Sequence, residues 1–250
     1  MTQDIGPLLG SGRVAEVFAY GEAVVKLYRD PAMRTPAFTE AATLSIVAEH
    51  DIPAPRVHAV GQFAGRWGLV MDRAAGEPLA RFARDQPEIL PAAVDEMVAL
   101  HLRLHEKPEV RLPSLRARLA NRIRRAGQLV ASRRQELLEG LAAMPDGDRL
   151  CHGDFHPFNI VGLPGATMVI DWLDACSGAP AADVCRSFVI MLPAVPELAE
   201  NYVDRYAALS GMPRQAILDW LPYVAAARLS EGITEDAALL LRLAGGGETI

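Results

Sequence analysis

The chain has 250 residues, which is enough for one large domain or two modest lobes with a sizeable buried core. Half of the residues are hydrophobic, and neither a run of 18 apolar residues nor a signal-peptide pattern occurs, so we expect a cytoplasmic protein without a membrane partner. The net charge of −6 argues against a general nucleic-acid-binding protein, which would need a basic face.

The first part of the chain is predicted to be rich in β-structure. Alternating apolar residues and turn residues predict four strands, paired as two antiparallel hairpins, at residues 14–20, 23–28, 57–63 and 67–72. A helix is predicted between the hairpins, from Thr35 to Glu49, with Thr35 as its cap and Pro36 at the first helical position.

The rest of the chain is predicted to be mostly helical. Helical periodicity predicts seven helices, at residues 91–106, 114–131, 134–143, 182–192, 196–209, 214–229 and 234–243. A short strand-rich island lies at residues 149–171. The sequence therefore predicts an α+β fold with a small β-rich lobe, residues 1–73, and a larger α-rich lobe, residues 74–250.

The island carries the residues with the most specific chemistry. Asp154 follows a strand, Asn159 comes five residues later, and Asp171 ends the next strand after a turn at Pro164-Gly165. All three offer hard oxygen ligands of the kind that Mg²⁺ prefers, and the hairpin brings them to one end. Phosphoryl transfer needs a metal and cations around the transferred group and a carboxylate for the acceptor hydroxyl. Asp154 fits the second task, and Asn159 and Asp171 fit the first.

This segment resembles the aminoglycoside phosphotransferase family, whose members share the protein-kinase-like fold. The likeness lies in H-G-D-x-x-x-x-N, residues 152–159, and in I-D-W, residues 170–172. It implies a bilobal fold with a nucleotide-binding lobe at 1–73 and a catalytic and substrate-binding lobe at 74–250. It also implies roles for four residues: Asp154 is the catalytic base, Asn159 and Asp171 bind Mg²⁺, and His152 braces the loop.

A glycine loop and a lysine form a second group, which the resemblance assigns to nucleotide binding. The loop, Gly10-Ser11-Gly12, is either an ordinary hairpin turn or a loop whose backbone amides lie over phosphates. Lys26 lies in an apolar strand, where a lysine is costly unless it is paired. Glu40 is the expected partner because it shares the apolar face of the following helix, and Glu49 is the rival.

Three further positions have both a functional and an ordinary interpretation. The resemblance implies that Asp72 and Ala74 bind the purine through main-chain groups, although a plain strand end and loop is the alternative. Asp183 is predicted to cap a helix or brace the catalytic loop. Asp174 is interpreted as a helix cap rather than as part of a substrate cleft.

Two other interpretations of this part of the chain are disfavoured. A zinc site would involve Cys151, His152, His156, Cys176 and Cys185. Their spacing lacks a C-x-x-C pair, which argues against zinc. Because the chain is expected to be intracellular, we expect three free thiols. Trp172 stands where protein kinases have the D-F-G phenylalanine, and the missing glycine argues against a protein-kinase activation switch.

The resemblance therefore implies an enzyme that uses ATP or GTP and Mg²⁺ to phosphorylate a hydroxyl of a small molecule. An aminoglycoside-type antibiotic is the first expectation, and choline, homoserine or a sugar-like metabolite is the alternative. A protein kinase and a non-catalytic nucleotide-binding module are further alternatives. Nucleotide and acceptor are the expected partners, and the sequence does not indicate an oligomeric state.

Charge gives conflicting indications about the acceptor. A polycation would need carboxylates, for which the candidates are Asp204, Asp219, Glu231, Glu235 and Asp236. Residues 111–134, however, contain eight arginines and no acidic residue. If the helical face of Arg118, Arg122 and Arg125 lines the cleft, a polycation would be repelled; otherwise these arginines form a solvated outer face.

Overall fold

The computed structural model describes residues 4–85 and 87–245. Contacts divide the chain into two compact units, Met1–Asp85 with Phe158–Leu173, and Gln86–Pro157 with Asp174–Ile250. The assignment of nucleotide binding to residues 1–73 and of catalysis to residues 74–250 is a functional division, and it stays a prediction.

The elements are numbered in chain order. The strands are β1 (Leu8–Ser11), β2 (Ala15–Tyr20), β3 (Ala23–Tyr28), β4 (Val57–Phe63), β5 (Arg66–Asp72), β6 (Arg149–Cys151), β7 (Ile160–Val161), β8 (Met168–Val169) and β9 (Cys176–Gly178). The helices are α1 (Arg34–Val47), α2 (Leu79–Asp85), α3 (Leu90–His105), α4 (Leu115–Arg125), α5 (Ala131–Ala143), α6 (Pro180–Met191), α7 (Pro196–Ser210), α8 (Arg214–Leu218), α9 (Leu221–Leu229) and α10 (Ala237–Leu243). Both the α+β content and the order of elements agree with the prediction.

The first unit is built on a five-stranded antiparallel sheet in the order β1-β2-β3-β5-β4. Tight turns close its two predicted hairpins, with positive φ at Gly21 in one and at Ala64 and Gly65 in the other. Val25, Leu27 and Val70 form a buried cluster on the sheet. Strands β3 and β5 therefore lie next to each other near the middle of the sheet. Strand β3 carries Lys26.

Three local details of the first unit differ from the prediction. Strand β1 was not predicted, because its four residues are mostly exposed and lack an apolar alternation. Helix α1 begins at Arg34, so Thr35 lies inside it and is not its cap. Helix α2 was not predicted.

In the second unit, α6 is buried on nearly all sides, since ten of its twelve residues are buried. Two of these are charged, Asp183 and Arg186, and burial of a charge is costly unless it is paired. The short strands β6 and β9 pair beside this helix in the same unit and bring Cys151 opposite Cys176. Asp183 and Arg186 must therefore have hydrogen-bond or ion-pair partners inside the second unit.

Two long predicted helices are interrupted. The predicted helix 114–131 ends at Arg125, where Ala126 leaves helical angles just before Gly127, and α5 starts separately. The predicted helix 214–229 is divided into α8 and α9, and Pro222 lies in the first turn of α9. No helix of the described residues has the length and apolar character that crossing a membrane requires.

Candidate active site

Lys26 is the buried cation of the first unit. It lies in the middle of β3 and is only 5% exposed. Its ammonium donates to Glu40 Oε1 at 2.7 Å and to Asp171 Oδ1 at 2.8 Å. Burial opposes the charge, but Glu40 and Asp171 together raise the pKa of Lys26 well above its ordinary value. Lys26 is thus a permanent positive charge held between two carboxylates.

Glu40 is the partner predicted for Lys26, and the structure contains this ion pair. The glutamate is buried on the inner face of α1 together with Leu44 and Val47. Its second oxygen accepts a hydrogen bond from the hydroxyl of Tyr28, two residues beyond Lys26 in β3. Burial and the Glu40 charge raise the pKa of Tyr28, so the tyrosine is a donor at all physiological pH values. Helix α1 therefore fixes Lys26 through a carboxylate whose two oxygens both accept hydrogen bonds.

Asn159 and Asp171 lie at the same end of the β7–β8 hairpin. Ile160 pairs with Val169, and the amide of Ile170 donates to Asn159 O at 2.9 Å, which places the two residues on neighbouring chains. Asp171 has a positive φ of 64°, in the left-handed region, and its side chain is 44% exposed. The hairpin is joined to the N-terminal part of the first unit by the amide of Val169, which donates to Pro53 O at 2.7 Å. The first unit therefore brings Lys26, Glu40, Asn159 and Asp171 together.

The glycine loop lies between β1 and β2. Gly10 and Ser11 pair with β2, and the Gly12 amide donates to Ala15 O at 2.9 Å. Arg29 binds the loop from β3's end, because its guanidinium donates to Ser11 Oγ and Gly12 O. The loop is therefore a supported hairpin turn, and its contact with phosphates stays a prediction.

Asp183 organises the catalytic loop in the second unit. Its carboxylate accepts from the amide of His152 at 2.7 Å and from the amide of Gly153 at 2.9 Å. The amide of Asp154 in turn donates to the ring of His152 at 3.2 Å. The sequence predicted that Asp183 and His152 support this loop, and the structure places both on its backbone.

Two histidines of α3 complete the surroundings of Asp183. The Nε2 atoms of His101 and His105 lie 2.9 and 3.4 Å from its carboxylate, and their Nδ1 atoms contact the hydroxyls of Tyr202 and Tyr206. An ionised carboxylate only accepts, so Nε2 is the protonated nitrogen of His101 and the tyrosine donates to Nδ1. Burial raises the pKa of Asp183 in isolation, but the hydrogen bonds from His101 and His105 hold it well below its ordinary value.

Sequence reasoning did not identify these histidines and tyrosines. Each pair is spaced i, i+4 on its helix, at positions 101 and 105 on α3 and at positions 202 and 206 on α7. Such spacing places two rings on one face of a helix. This pattern could have predicted that the two histidines pack against the two tyrosines.

His101 makes the fold sensitive to acid. Burial and the neighbouring His105 lower the pKa of His101 to about 3, against 6.5 in the unfolded chain. Between these values the unfolded chain binds a proton that the folded chain does not, so stability falls as pH decreases from 6.5 toward 3. Denaturant unfolding from pH 6.5 to 4 should show a slope smaller by up to about 1.4 kcal/mol per pH unit in His101→Gln than in the wild type. His58→Gln, at an exposed histidine, is the control, and equal slopes in all three proteins would contradict the assignment.

Asp154 follows this braced loop and is paired with a buried arginine. Arg186 Nη2 donates to Asp154 Oδ1 at 3.0 Å, and His156 Nε2 lies 3.4 Å from Oδ2. Burial alone would raise the pKa of Asp154, but the His156 hydrogen bond and the Arg186 charge hold it well below its ordinary value. Asp154 is therefore ionised at neutral pH.

Asp174 is the centre of an ion-pair cluster, so its interpretation as a helix cap is wrong. The cap position of α6 is Ala179, whereas Asp174 ends a short 3₁₀ turn. Both of its carboxylate oxygens accept from Arg122 Nη2 at 2.9 Å, and Arg118 Nη1 lies 3.3 Å away. The cause is the arginine-rich α4, whose side chains reach Asp174 within the same unit.

The arginines of residues 111–134 differ in their exposure to solvent. Arg118 and Arg122 are about four-fifths buried, whereas Arg125 is exposed and donates to the carbonyl of Asn121 on its own helix. The solvated-face interpretation is therefore wrong for the first two and right for the third. Whether they line a substrate cleft stays a prediction.

Three of the carboxylates considered for a cationic acceptor are paired with arginines. Glu231 binds Arg122, Arg186 and Arg228, at 3.0, 2.8 and 3.3 Å. Asp236 lies 3.7 Å from Arg228, and Asp204 pairs with Arg214 at 2.8 Å. Asp219 and Glu235 are exposed.

The predicted hinge positions lie at the end of β5. Asp72 pairs with Ala23 of β3, and its carboxylate accepts from the Arg56 amide and contacts the ring of His58. Ala74 follows two residues later and is half-buried. Contact of their main-chain groups with a purine stays a prediction.

The three cysteines are free and buried, as predicted. Across residues 4–85 and 87–245, the group of side chains whose spacing could hold a metal through His, Cys, Asp or Glu is His101, His105 and Asp183, which includes none of the cysteines. The zinc site considered from the sequence is therefore not assembled among the described residues.

Comparison with known proteins places this geometry in a family. The family model described as "Phosphotransferase enzyme family" (APH) matches residues 9–218, which is most of the chain. No curated protein sequence matches. Among solved structures, a thermostable mutant of aminoglycoside phosphotransferase APH(4)-Ia is 18% identical, with a TM-score of 0.69 over 98% of this chain and 97% of that one.

Two other solved structures agree. APH(2″)-IIa is 17% identical, with a TM-score of 0.62 over 96% and 91% of the two chains. The aminoglycoside phosphotransferase APH(3″)-Id from Streptomyces rimosus is 22% identical, with a TM-score of 0.62 over 90% and 92%. At these identities the likeness establishes the protein-kinase-like fold, as predicted, and the family match establishes the class of enzyme. The chain belongs to the APH phosphotransferase enzyme family.

Proposed function

We propose that this enzyme transfers the γ-phosphate of ATP or GTP to a hydroxyl group of a small molecule, with Mg²⁺ as its cofactor. The observation that carries the proposal is the buried ammonium of Lys26 held between Glu40 and Asp171, with Asp171 beside Asn159 at the end of one hairpin. Structures similar in fold are described as complexes of APH(4)-Ia with ADP or AMP-PNP and of APH(2″)-IIa with ATP, which supports a nucleotide substrate here.

The residues of the first unit fit a magnesium ion. Asn159 offers an amide oxygen, and Asp171 offers a carboxylate that is 44% exposed and already attracts one cation, Lys26. Two protein oxygen ligands, one on the buried Asn159 and one on the partly exposed Asp171, suit an ion that keeps water and phosphate ligands. When bound, Mg²⁺ would offset the negative charge on the nucleotide phosphates.

The protein's own residues would then act as follows. Lys26 supplies a fixed positive charge for the phosphates, and Glu40 and Tyr28 prevent its side chain from turning away. Asp154 accepts a hydrogen bond from the acceptor hydroxyl and orients it for attack. Since the pKa of Asp154 is held low, it is a weak proton acceptor until the hydroxyl has begun to bond to phosphorus. This suits the loose transition state of phosphoryl transfer.

The glycine loop supports close approach of a ligand. Neither Gly10 nor Gly12 has a positive φ, and a β-carbon would meet nothing within 4 Å at Gly10 and only an ordinary contact of 3.5 Å at Gly12. Neither the backbone conformation nor the packing of the fold therefore requires glycine at positions 10 and 12. A phosphate lying against the backbone would give one.

Substituting these glycines should weaken nucleotide binding without harming the fold. We expect Gly10→Ala and Gly12→Ala each to weaken ATP binding by about 1–3 kcal/mol, the usual cost of forcing a methyl group into a close contact. Unfolding temperatures should stay within a few degrees of the wild type. Gly61→Ala, at an equally open glycine of β4, is the matched control and should bind ATP normally. Unchanged affinity in all three variants would remove the loop from the site.

An aminoglycoside is the first acceptor to consider. Fold neighbours are described as complexes with hygromycin B and with streptomycin. These proteins are at most 23% identical to this chain, so the acceptor itself does not carry over. Aminoglycosides are polycations, and their recognition requires carboxylates that are available to ammonium groups.

A neutral or anionic alcohol is the second candidate, and one observation favours it. Glu231 and Asp174, two acidic side chains in the unit that contains Asp154, are each bound by more than one arginine. A polycation would have to displace those guanidinium groups before it could use either carboxylate. We therefore place choline below homoserine and sugar-like metabolites among the alternatives.

Transfer of labelled phosphate tests the proposal. The enzyme is incubated with Mg²⁺ and γ-labelled ATP or GTP, and with acceptors in charge-matched sets of amino sugars, neutral sugars and hydroxy acids. We expect label in at least one alcohol and none in a peptide panel. Label confined to peptides would indicate a protein kinase. Nucleotide binding without transfer to alcohol, peptide or water would indicate a non-catalytic module.

A further inference from the structure

Arg186 is a buried cation of the second unit, and each of its three guanidinium nitrogens donates a hydrogen bond. It projects from α6 and is only 6% exposed. Its Nε donates to the carbonyl of Gly153, and its Nη2 donates to Asp154 Oδ1 at 3.0 Å. Its Nη1 donates to Glu231 Oε1 at 2.8 Å. One side chain thus binds the backbone and the carboxylate of the catalytic loop at the same time.

The shape of the guanidinium makes this contact directional. A guanidinium is planar and presents its donors at fixed angles, whereas an ammonium is a rotating point charge. Because Nε binds Gly153 and Nη2 binds the next residue, the plane of the arginine fixes the direction in which the Asp154 carboxylate points. A lysine at position 186 could supply the charge but not both bonds.

Glu231 anchors the other end of the arginine. This carboxylate, two residues beyond α9, also accepts from Arg122 Nη1 at 3.0 Å and lies 3.3 Å from Arg228 Nη1. Two other arginines, Arg122 and Arg228, therefore hold the Glu231 carboxylate that binds Arg186. Burial opposes the charge of Arg186, but Glu231 and Asp154 raise its pKa far above the physiological range, so it does not release its proton.

We propose that Arg186 is a positioning residue for the phosphoryl acceptor site: it fixes the Asp154 carboxylate in the orientation that receives the acceptor hydroxyl, and Glu231 fixes Arg186. The inference depends on the proposed function in one respect, the role of Asp154 as the base. The contact itself does not depend on that role.

Several other groups surround Asp154. His156 lies 3.4 Å from its Oδ2, and the ring of His152 accepts from its amide. Asp174 lies 3.8 Å from the same Nη2 of Arg186. A purely structural arginine would stabilise the unit without affecting how Asp154 reacts, so the test must observe Asp154 itself.

Carbon-13 NMR of aspartate carboxyl groups observes Asp154 without nucleotide or acceptor. The Asp154 signal is assigned by its absence in Asp154→Asn, and it is followed by pH titration. Loss of an opposite charge at this distance should raise the pKa of Asp154 by about 1–3 units in Arg186→Met. Arg205→Met, which removes an exposed arginine paired with Asp95, is the control for lost charge and should leave the pKa unchanged. An unchanged value in a folded Arg186→Met would overturn the proposal.

A double-mutant cycle on labelled phosphate transfer gives the second readout, with water as the acceptor if the panel supplies no alcohol. If Arg186 acts through Asp154, Arg186→Met should lower kcat at least tenfold with ATP affinity within twofold of wild type. Adding it to Asp154→Asn should then cause no further loss. Losses that multiply in the double variant would show an independent, structural role and overturn the proposal.

Arg186→Lys separates geometry from charge and serves if the methionine variant does not fold. It should keep the pKa of Asp154 near the wild-type value while kcat still falls, because the bond to Gly153 is lost. Full turnover in Arg186→Lys would overturn the positioning role. Absence of phosphate transfer by the wild type would contradict the proposed function and leave the NMR result standing.

Discussion

Replacing Asp154 by asparagine is expected to lower kcat for phosphate transfer by about 10²- to 10⁴-fold, the usual contribution of a positioned proton acceptor. Asparagine keeps the size of the side chain but removes the negative charge that orients the hydroxyl. The affinity for ATP with Mg²⁺ should stay within about twofold, because Asp154 is proposed to act on the acceptor, whereas Lys26, Asn159 and Asp171 are proposed to hold the nucleotide and the metal.

Steady-state kinetics and calorimetry on the same preparations check this result. Asp95→Asn, which removes an exposed carboxylate of the second unit, is the control and should retain wild-type kcat. An Asp154→Asn variant with more than a tenth of wild-type turnover would show that another group receives the acceptor proton.

Replacing Asp183 by alanine is expected to cause the largest loss of stability. Four N–H groups, from His152, Gly153, His101 and His105, surround its carboxylate in a part of the unit closed to solvent. Leaving buried donors unsatisfied costs about 1–3 kcal/mol each, so the total loss should be about 4 kcal/mol or more. This is a large part of the free energy of unfolding of an ordinary domain, which is about 5–15 kcal/mol.

Denaturant unfolding at pH 7 measures this loss. Asp95→Ala breaks only an exposed ion pair with Arg205 and should change the free energy of unfolding by about 1 kcal/mol or less. The pKa of Asp183 is held below its ordinary value of 3.8, so its contribution is complete above that pH and is lost as pH falls further. A loss below about 1 kcal/mol in Asp183→Ala at pH 7 would mean that the four donors find other partners.

The first β-hairpin and the ion pair of Lys26 with Glu40 could be predicted from short stretches of sequence. The strands Ala15–Tyr20 and Ala23–Tyr28 are joined by a turn at Gly21, and they form where the sequence pattern predicted them. The ion pair of Lys26 with Glu40 was predicted because one residue lies in an apolar strand and the other on the apolar face of the next helix. Both arguments need only the spacing of nearby residues.

Long-range charge pairing could not be predicted in the same way. Arg122 lies 52 residues before Asp174 and 109 before Glu231, and nothing local indicates that one guanidinium reaches both. The same holds for Arg186, which looks like an ordinary helical arginine in the sequence. Arg186 is buried on α6, and a buried charge is costly unless it is paired, so its ion pairs with Asp154 and Glu231 follow from its burial.

Helix boundaries failed where backbone detail decided them. Threonine is a residue type that often caps helices, but α1 begins one residue before Thr35. Met33 occupies the cap position, and its side chain makes no capping hydrogen bond. The break after Arg125 and the break before α9 occur within continuous helical periodicity. Periodicity registers which face is apolar and is insensitive to a single residue that leaves helical angles.

Calorimetric titration of the purified protein with ATP, in the presence and absence of Mg²⁺, tests the nucleotide site most directly. If the Asp171 carboxylate and the Asn159 amide gather the cation beside Lys26, the wild type should bind ATP more tightly with Mg²⁺ than without it. Asp171→Ala should lose that difference while remaining folded. Equal affinity with and without the metal, or a metal effect that survives Asp171→Ala, would contradict the proposed arrangement.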